Sequence, residues 1–340
     1  MTGAATEPRS AVMTVLAVLG VLALVAAGAW FLMIRMPGAS HAGPLAPLAP
    51  AQEEMRQRLE ADVRHFAETL GERSVWQPQA LAAAASHIES TLAGLGYRVE
   101  SQAYDSHGVP VRNIEATLGG TVRPQDIVLL GAHYDSVRGT AGANDNASGS
   151  AALLEIARQL AGQPLARTVR LVAFVNEEPP HFNVGEMGSG FYARAAAARG
   201  DRIVAMLSLE TLGYYSDQAG SQRYPFPFGL LYPDRGDFVA FVGNIASRGL
   251  VRRSLAAFRG STAFPSEGVA APAFVPGVYW SDHASFWEQG YPALMVTDTA
   301  LFRYPYYHTS EDLPRHVDFA RLARVVGGLT DVGRALAQAP

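Results

Sequence analysis

The longest apolar run in the chain is AVMTVLAVLGVLALVAAGAWFLMI, Ala11 to Ile34, which contains no charge and is flanked by Arg9 and Arg35. At ~1.5 Å per residue a helix of this length spans the ~30 Å hydrocarbon core of a bilayer, and it exceeds the ~7–15 apolar residues of a secretory leader. The pattern predicts a short tail over 1–10 and a single transmembrane helix over 11–34. A leader cleaved after the small-x-small run Ser40-His41-Ala42 is the alternative. With one arginine close on each side, charge specifies orientation weakly; a short leader before a large globule points to a membrane protein whose folded part faces the extracytoplasmic side. Residues 35–51 are rich in Pro, Ala and Gly and read as an extended linker off the membrane.

Beyond the linker the periodicity changes. Met55, Leu59, Val63, Phe66 and Leu70 recur at helical spacing, and a second helix is expected from Pro78 to Leu95, stopped by Gly96. Four near-continuous apolar runs follow, DIVLLGAH, TVRLVAFV, RIVAMLSL and PALMVT, alternating with helical stretches such as SAALLEIARQLAG and the closing DFARLARVVGGLTDVGRALAQA. Apolar strands separated by helices indicate an α/β fold with a sheet buried on both faces and parallel crossovers, here over residues 52–340. In such folds ligands collect beyond the carboxyl ends of the strands.

Composition narrows the chemistry. The 340 residues are 49% hydrophobic and 17% charged, which suits one large globular domain with an additional apolar segment. A formal net charge of −4, with no basic run, offers nothing to nucleic acid. Cysteine and lysine are both absent, so all 27 basic side chains are arginine. Thiolate nucleophiles, Schiff-base lysines and P-loop lysines are excluded, leaving Ser, His, Asp, Glu and Tyr chemistry with or without metal.

Acids and imidazoles gather where the topology would place a ligand. DIVLLGAHYDS ends in His133 and Asp135, TVRLVAFVNEE in Glu177 and Glu178, and RIVAMLSLETLG in Glu210, while Asp145 lies in the loop GANDNASG and His308 in YYHTSED. An aspartate at the mouth of a helix is ordinarily an N-cap. Several carboxylates brought together, however, repel and raise one another's pKa unless cations neutralise them, and His with Asp or Glu is a zinc ligand set. A two-metal cluster bridged by Asp145 accommodates them all.

The ordered set HYDS, GANDNASG, NEE, LETLG and YYHTSEDL resembles the co-catalytic zinc aminopeptidases of the M28 metallopeptidase family. The resemblance implies a three-layer α/β/α fold with a mixed, mostly parallel central sheet. It also implies two Zn2+ per chain, with His133 and Glu210 on one, Glu178 and His308 on the other, and Asp145 between them. Glu177 would be the general base, Asp135 would orient the imidazole of His133, and the substrate would be a peptide, most simply one losing its N-terminal residue. The family commonly has Asp where this chain has Glu210. A glutaminyl-peptide cyclotransferase, with one zinc on the same fold, is the nearest rival, and a non-catalytic peptidase-like ectodomain a further one. A serine hydrolase is disfavoured because no G-x-S-x-G elbow occurs.

Three further stretches stand near the expected cleft. EEPPHF puts His181 and Phe182 on a proline-stiffened loop, and YWSDHASFW holds Asp282 and His283, for which pocket and structural roles are equally open. The aromatic span Tyr214–Tyr232 and the Gly/Pro-rich span Gly260–Tyr279 are candidate pocket walls. Oligomeric state is not specified by any of these features.

Overall fold

The computed structural model describes residues 8–339. Helix α1 (Pro8–Ala29) continues through one wider turn, Trp30–Ile34. Over Val12–Ile34 its mean hydropathy is 2.5. Residues 35–49 are extended, as their proline content requires, but they lie along the domain instead of leading away from it: Arg259 donates to the carbonyls of Pro37 (2.9 Å) and Gly38 (3.2 Å), and Leu45 packs against the core.

Helix α2 (Pro50–Arg64), with proline in its first turn, runs on to Leu70, and α3 (Pro78–Gly94) ends where Gly96 takes φ +86°. Strands β1 (Arg98–Ser106) and β2 (Val109–Leu118) form a hairpin. Its two-residue turn is His107-Gly108, both at positive φ, and Asp105 accepts from the Gly108 amide at 2.8 Å. Strand β3 (Arg123–His133) leads through the Asp145 loop into α4 (Gly149–Leu160); β4 (Arg167–Phe174), α5 (Gly188–Arg199) and β5 (Arg202–Glu210) follow. After a long irregular stretch come β6 (Val239–Gly243), α6 (Arg248–Ser261), β7 (Ser266–Ala270), α7 (His283–Glu288), β8 (Ala293–Thr297) and α8 (Phe319–Gln338). Asp318 caps α8, accepting from the Arg321 amide at 2.9 Å.

Among the described residues, eight strands form one mixed sheet in the order β1-β2-β4-β3-β5-β8-β6-β7. The central pairs β4·β3, β3·β5 and β5·β8 are parallel, as the apolar runs predict, and so is β6·β7. The hairpin edge joins β4 antiparallel, and β6 runs antiparallel to β8. Alternation along β3 shows why its sequence is apolar throughout. Val128, Leu130 and Ala132 join the core cluster to which α2, α3, α4, α6 and α8 contribute, while Ile127 and Leu129 join that of Tyr192 of α5 and Phe286 of α7. The architecture is therefore three-layered, α/β/α, and the carboxyl ends of β3, β4 and β5 open on one edge.

Candidate active site

His133 is the last residue of β3 and is completely buried. Two residues on, the Asp135 carboxylate accepts from the backbone amides of Glu177 (3.2 Å) and Glu178 (3.1 Å), which follow the end of β4. Asp135 thus ties two strand ends together. It also stands 3.5 Å from Nδ1 of His133, a long contact that orients the ring more than it bonds it. Glu210 closes β5, and Ser281 donates to its Oε2 at 2.7 Å.

The loop before α4 answers the capping question. Oδ1 of Asn146 accepts from the Gly149 amide at 3.0 Å, so the residue next to Asp145 does the capping. The same Oδ1 accepts from the Thr211 amide (3.1 Å), and Nδ2 of Asn146 donates to the Leu209 carbonyl (2.8 Å). Asn144 donates to Asp298 (2.9 Å) and accepts from the Gly213 amide (2.8 Å). The flanking amides fasten the loop to β5 and to the segment after β8, and Asp145 is left to face the cleft. Its backbone amide and that of Asn144 donate to the carboxylate of Asp312, at 3.0 and 2.8 Å, which also accepts from Tyr304 (2.8 Å). At Gly142, φ is +57° and a Cβ would come within 2.5 Å of the Ser136 side chain, so only glycine fits there. Buried Arg73 organises the approach to this loop by donating to the carbonyls of Tyr134, Phe66, Gly71, Ala141 and Gly142, between 2.6 and 3.1 Å.

Asp145 has one imidazole on each side. Its Oδ1 is 3.4 Å from Nε2 of His133, and its Oδ2 is 3.1 Å from Nε2 of His308. Glu210 Oε2 lies 3.3 Å from the first imidazole, and Glu178 Oε2 lies 3.3 Å from the second. The result is two triads sharing Asp145: His133, Asp145 and Glu210, and Asp145, Glu178 and His308. Glu177 is buried beside them, its Oε2 4.0 Å from His133.

Protein charges alone leave this cluster unbalanced. Burial, with Glu210 and Glu178 adding to it, holds the carboxyl of Glu177 well above its ordinary range. Burial, aided by the Asp145 charge, pushes Glu178 up to about 8, and burial raises Glu210 as well. Asp145 goes the other way: burial opposes its charge, but the two imidazoles outweigh burial and hold it below the usual carboxylate range. Burial likewise opposes the charge on His133 and His308, yet the carboxylates raise both, His308 to about 10. Both ring nitrogens of His133 and Oε1 of Glu178 are buried without a hydrogen-bond partner. Such orphaned atoms in a His/Asp/Glu set suit metal ligation. Ligand atoms around a tetrahedral zinc at ~2.0–2.1 Å stand ~3.3 Å apart, close to the 3.1–3.4 Å that separates each imidazole from its two carboxylates.

The seven residues expected as ligands, base and orienting carboxylate meet here. His181 does not join them; its Nδ1 faces Glu186 (3.3 Å), which also meets His107 of the hairpin turn (2.9 Å). Asp282 is wholly buried, and burial pushes its carboxyl up to about 7. The ring of His283 bonds the Val278 carbonyl (2.8 Å), and burial lowers it to about 4, so its role is structural. The supports Asp312, Asp298, Asn144, Asn146, Arg73 and Ser281 were not singled out, although both asparagines flank Asp145 within the motif itself.

From the triads a cleft of about 460 Å³ runs away along the sheet. Its other walls come in part from the two spans expected to supply them, through residues such as Tyr224, Phe228, Tyr232, Val275 and Val278, with Trp280 just beyond the second span, and Phe182 reaches it from the proline-stiffened loop.

Acid and imidazole at the carboxyl edge of a three-layer α/β/α sheet, paired around a shared aspartate, define a metallohydrolase. Residues 113–331 match peptidase family M28. The chain is 39% identical over 282 residues to the uncharacterized protein YfbL of Escherichia coli (strain K12), covering 80% of this chain and 86% of that one. The chain belongs to peptidase family M28. A zinc aminopeptidase from Bacillus subtilis shares the fold, with a TM-score of 0.65 at 18% identity, over 83% of this chain and 95% of that structure. So does a glutaminyl cyclase from Porphyromonas gingivalis, with a TM-score of 0.60 at 21% identity over 82% and 97%.

Proposed function

We propose that this chain is a membrane-anchored zinc aminopeptidase that holds two metal ions and releases N-terminal residues from peptides. The observation that carries the reading is the two-sided arrangement at Asp145. One carboxylate oxygen faces His133, which Glu210 also meets, the other faces His308, which Glu178 also meets, and each triad offers three ligand atoms. When bound, zinc supplies Lewis-acid activation of water and of the scissile carbonyl. The protein contributes the proton traffic. Glu177, which belongs to neither of the triads that share Asp145, takes a proton from the attacking water; the carbonyl carbon gains the hydroxyl oxygen, and the C–N bond breaks as Glu177 returns the proton to the leaving amine. Burial and its acidic neighbours raise the proton affinity of Glu177, the direction a proton-accepting group needs. Asp135 keeps Glu177 and Glu178 in register by accepting from both amides.

The glutaminyl cyclase likeness means that fold alone does not choose between hydrolysis and cyclisation; the second complete triad supports hydrolysis. The apolar helix supports a single-pass anchor with the domain outside the membrane. The decisive test pairs Glu177→Gln with Glu178→Gln. Glu177→Gln should lower kcat on an amino-acid anilide by ~10²–10⁴-fold with zinc still bound, whereas Glu178→Gln should lose zinc first. A Glu177→Gln enzyme within about tenfold of the parent would remove Glu177 as the base. Two zinc equivalents and no cyclisation of an N-terminal glutamine peptide are expected of the parent; one equivalent with cyclisation would favour the rival.

A further inference from the structure

The cleft's apolar end and the membrane helix meet at one edge of the domain. Met33 and Ile34, in the last turn before the linker, pack against the cluster of Phe228, Ala271 and Val278, all three of which line the cleft. The helix exit is fixed there: Arg248 donates to the carbonyls of Leu32 (2.6 Å) and Phe31 (2.9 Å), and the Ser266 amide donates to Ser40 (2.8 Å). These are the open carbonyls of a helix end, answered by arginine. Helix α6, which supplies Arg248, also carries Arg252, Arg253 and Arg259 and no acidic residue.

Around the cleft, large apolar side chains face outward. Phe226 is 88% exposed, Leu230 78% and Phe274 86%, and they flank the lining residues Pro225, Phe228 and Val275 in sequence. Exposed apolar groups bordering an apolar cavity mark an interaction site. The occupant follows from the surroundings, because the helix beside this rim is long and apolar enough to cross a bilayer and the adjacent α6 holds Arg248 and Arg252 against the carbonyls of Phe31, Leu32 and Arg35, at the level where it exits.

We propose that the apolar mouth of the cleft rests on the lipid bilayer that α1 enters, and that the enzyme takes amphiphilic substrates, peptides or amino-acid amides bearing a long apolar group, from the lipid–water interface. The inference rests on the readings of α1 as an anchor and of the chain as a peptidase. The membrane would then deliver the apolar part of the substrate into the cleft while the amide reaches the carboxylate end.

The test uses the full chain in vesicles of zwitterionic and anionic phosphatidyl lipids containing brominated acyl chains, which quench nearby tryptophan. Trp280 lines the cleft and is 42% exposed. With Trp30 of the helix replaced by Phe, brominated lipid should still quench a substantial share of the fluorescence, and adding Trp280→Phe should abolish that share. Equal quenching with and without Trp280, in a chain that floats with the vesicles, overturns the bilayer contact and leaves the anchor standing; a chain that does not float overturns both. In the second arm, Phe226, Leu230 and Phe274 are all changed to Ser. Turnover of a long-chain alkyl amide of leucine in vesicles should fall about tenfold or more in kcat/KM, while a soluble leucine anilide is turned over as before. No loss, or equal loss on both, overturns the substrate class. Quenching at Trp280 in an enzyme inactive on both substrates would support the surface and remove the peptidase reading.

Discussion

One side of the cleft is made of strand ends and the other of irregular chain. His133 and Glu210 terminate β3 and β5, Glu177 and Glu178 follow β4, and Asp135, Asn146 and Asp312 fasten these strand ends and the Asp145 loop by accepting from the backbone amides of Glu178, Thr211 and Asp145. Opposite them, Tyr224, Phe228, Val275 and Trp280 lie in segments outside the sheet; Tyr224 and Val275 pack with Phe228, and Arg303 bonds Gln222 (2.7 Å) and the Phe238 carbonyl (2.8 Å). Where ionisable groups must be held within a few tenths of an ångström, backbone hydrogen bonds fix them. Where only an apolar volume is needed, side-chain packing suffices.

The sharpest way to break this contrast is to loosen the carboxylate side from behind. Arg73→Met should cost about 3–5 kcal/mol of stability, because it strands buried carbonyls on three segments; thermal unfolding of the zinc-loaded protein checks it. A loss under 1 kcal/mol would mean that the loop does not depend on this arginine.

Chelation should have the next largest effect, and one that depends on pH. Burial and the Asp145 charge hold Glu178 at about 8, so its contribution to stability, present at acid pH, is lost as pH rises from its ordinary value to 8. His308, raised to about 10 by Asp145 and Glu178 against its burial, loses its own contribution between about 6.5 and 10. Both act in one direction. The chelated protein should therefore be less stable at pH 8.5 than at pH 6, by on the order of a few kcal/mol, and added zinc should remove most of that difference. Calorimetry at the two pH values, with and without zinc, reads it; an apo protein equally stable at both would contradict the assigned charges.

Asp312→Asn is milder, since it weakens the two amide contacts behind Asp145 without touching a ligand. Zinc affinity should drop ~10–100-fold, as for other changes behind a metal ligand. Competition with a chromophoric chelator measures it, and unchanged affinity would show that Asp145 keeps its place without this support. The smallest change is made on β6, where the sheet itself lines the cleft. Val242→Trp, which fills the cleft, should reduce kcat/KM for a phenylalanine anilide about tenfold relative to an alanine anilide, with stability nearly unaffected. An equal effect on both anilides would place the first side chain elsewhere.

The contrast also explains what the sequence made legible. Strand-end acids and imidazoles could be read because a buried parallel strand announces itself as an apolar run and its end follows immediately, as with His133 and Glu210. Helices α2, α3, α4 and α8 were legible through their spacing. Strands β6 and β7 were not, being five residues each and punctuated by Gly243 and Gly268. The β1–β2 hairpin carried a usable signal, the His107-Gly108 turn between alternating runs, which the helix-and-strand rhythm of the rest obscured. The supports were invisible for another reason: Asn144 and Asp312 are separated by 168 positions, and no local pattern encodes that contact.

The flanking amides of Asp145 carry a consequence for how such a chain can change over generations. Asn144 and Asn146 bind the loop to β5 and to the segment after β8, and neither reaches into the stretches 222–232 and 271–280 that wall the cleft. Substitutions in those stretches can therefore accumulate without moving the reacting groups. A lineage built on this scaffold can exchange its diet while inheriting its chemistry, and divergence among its members should concentrate in the walls and spare the loop.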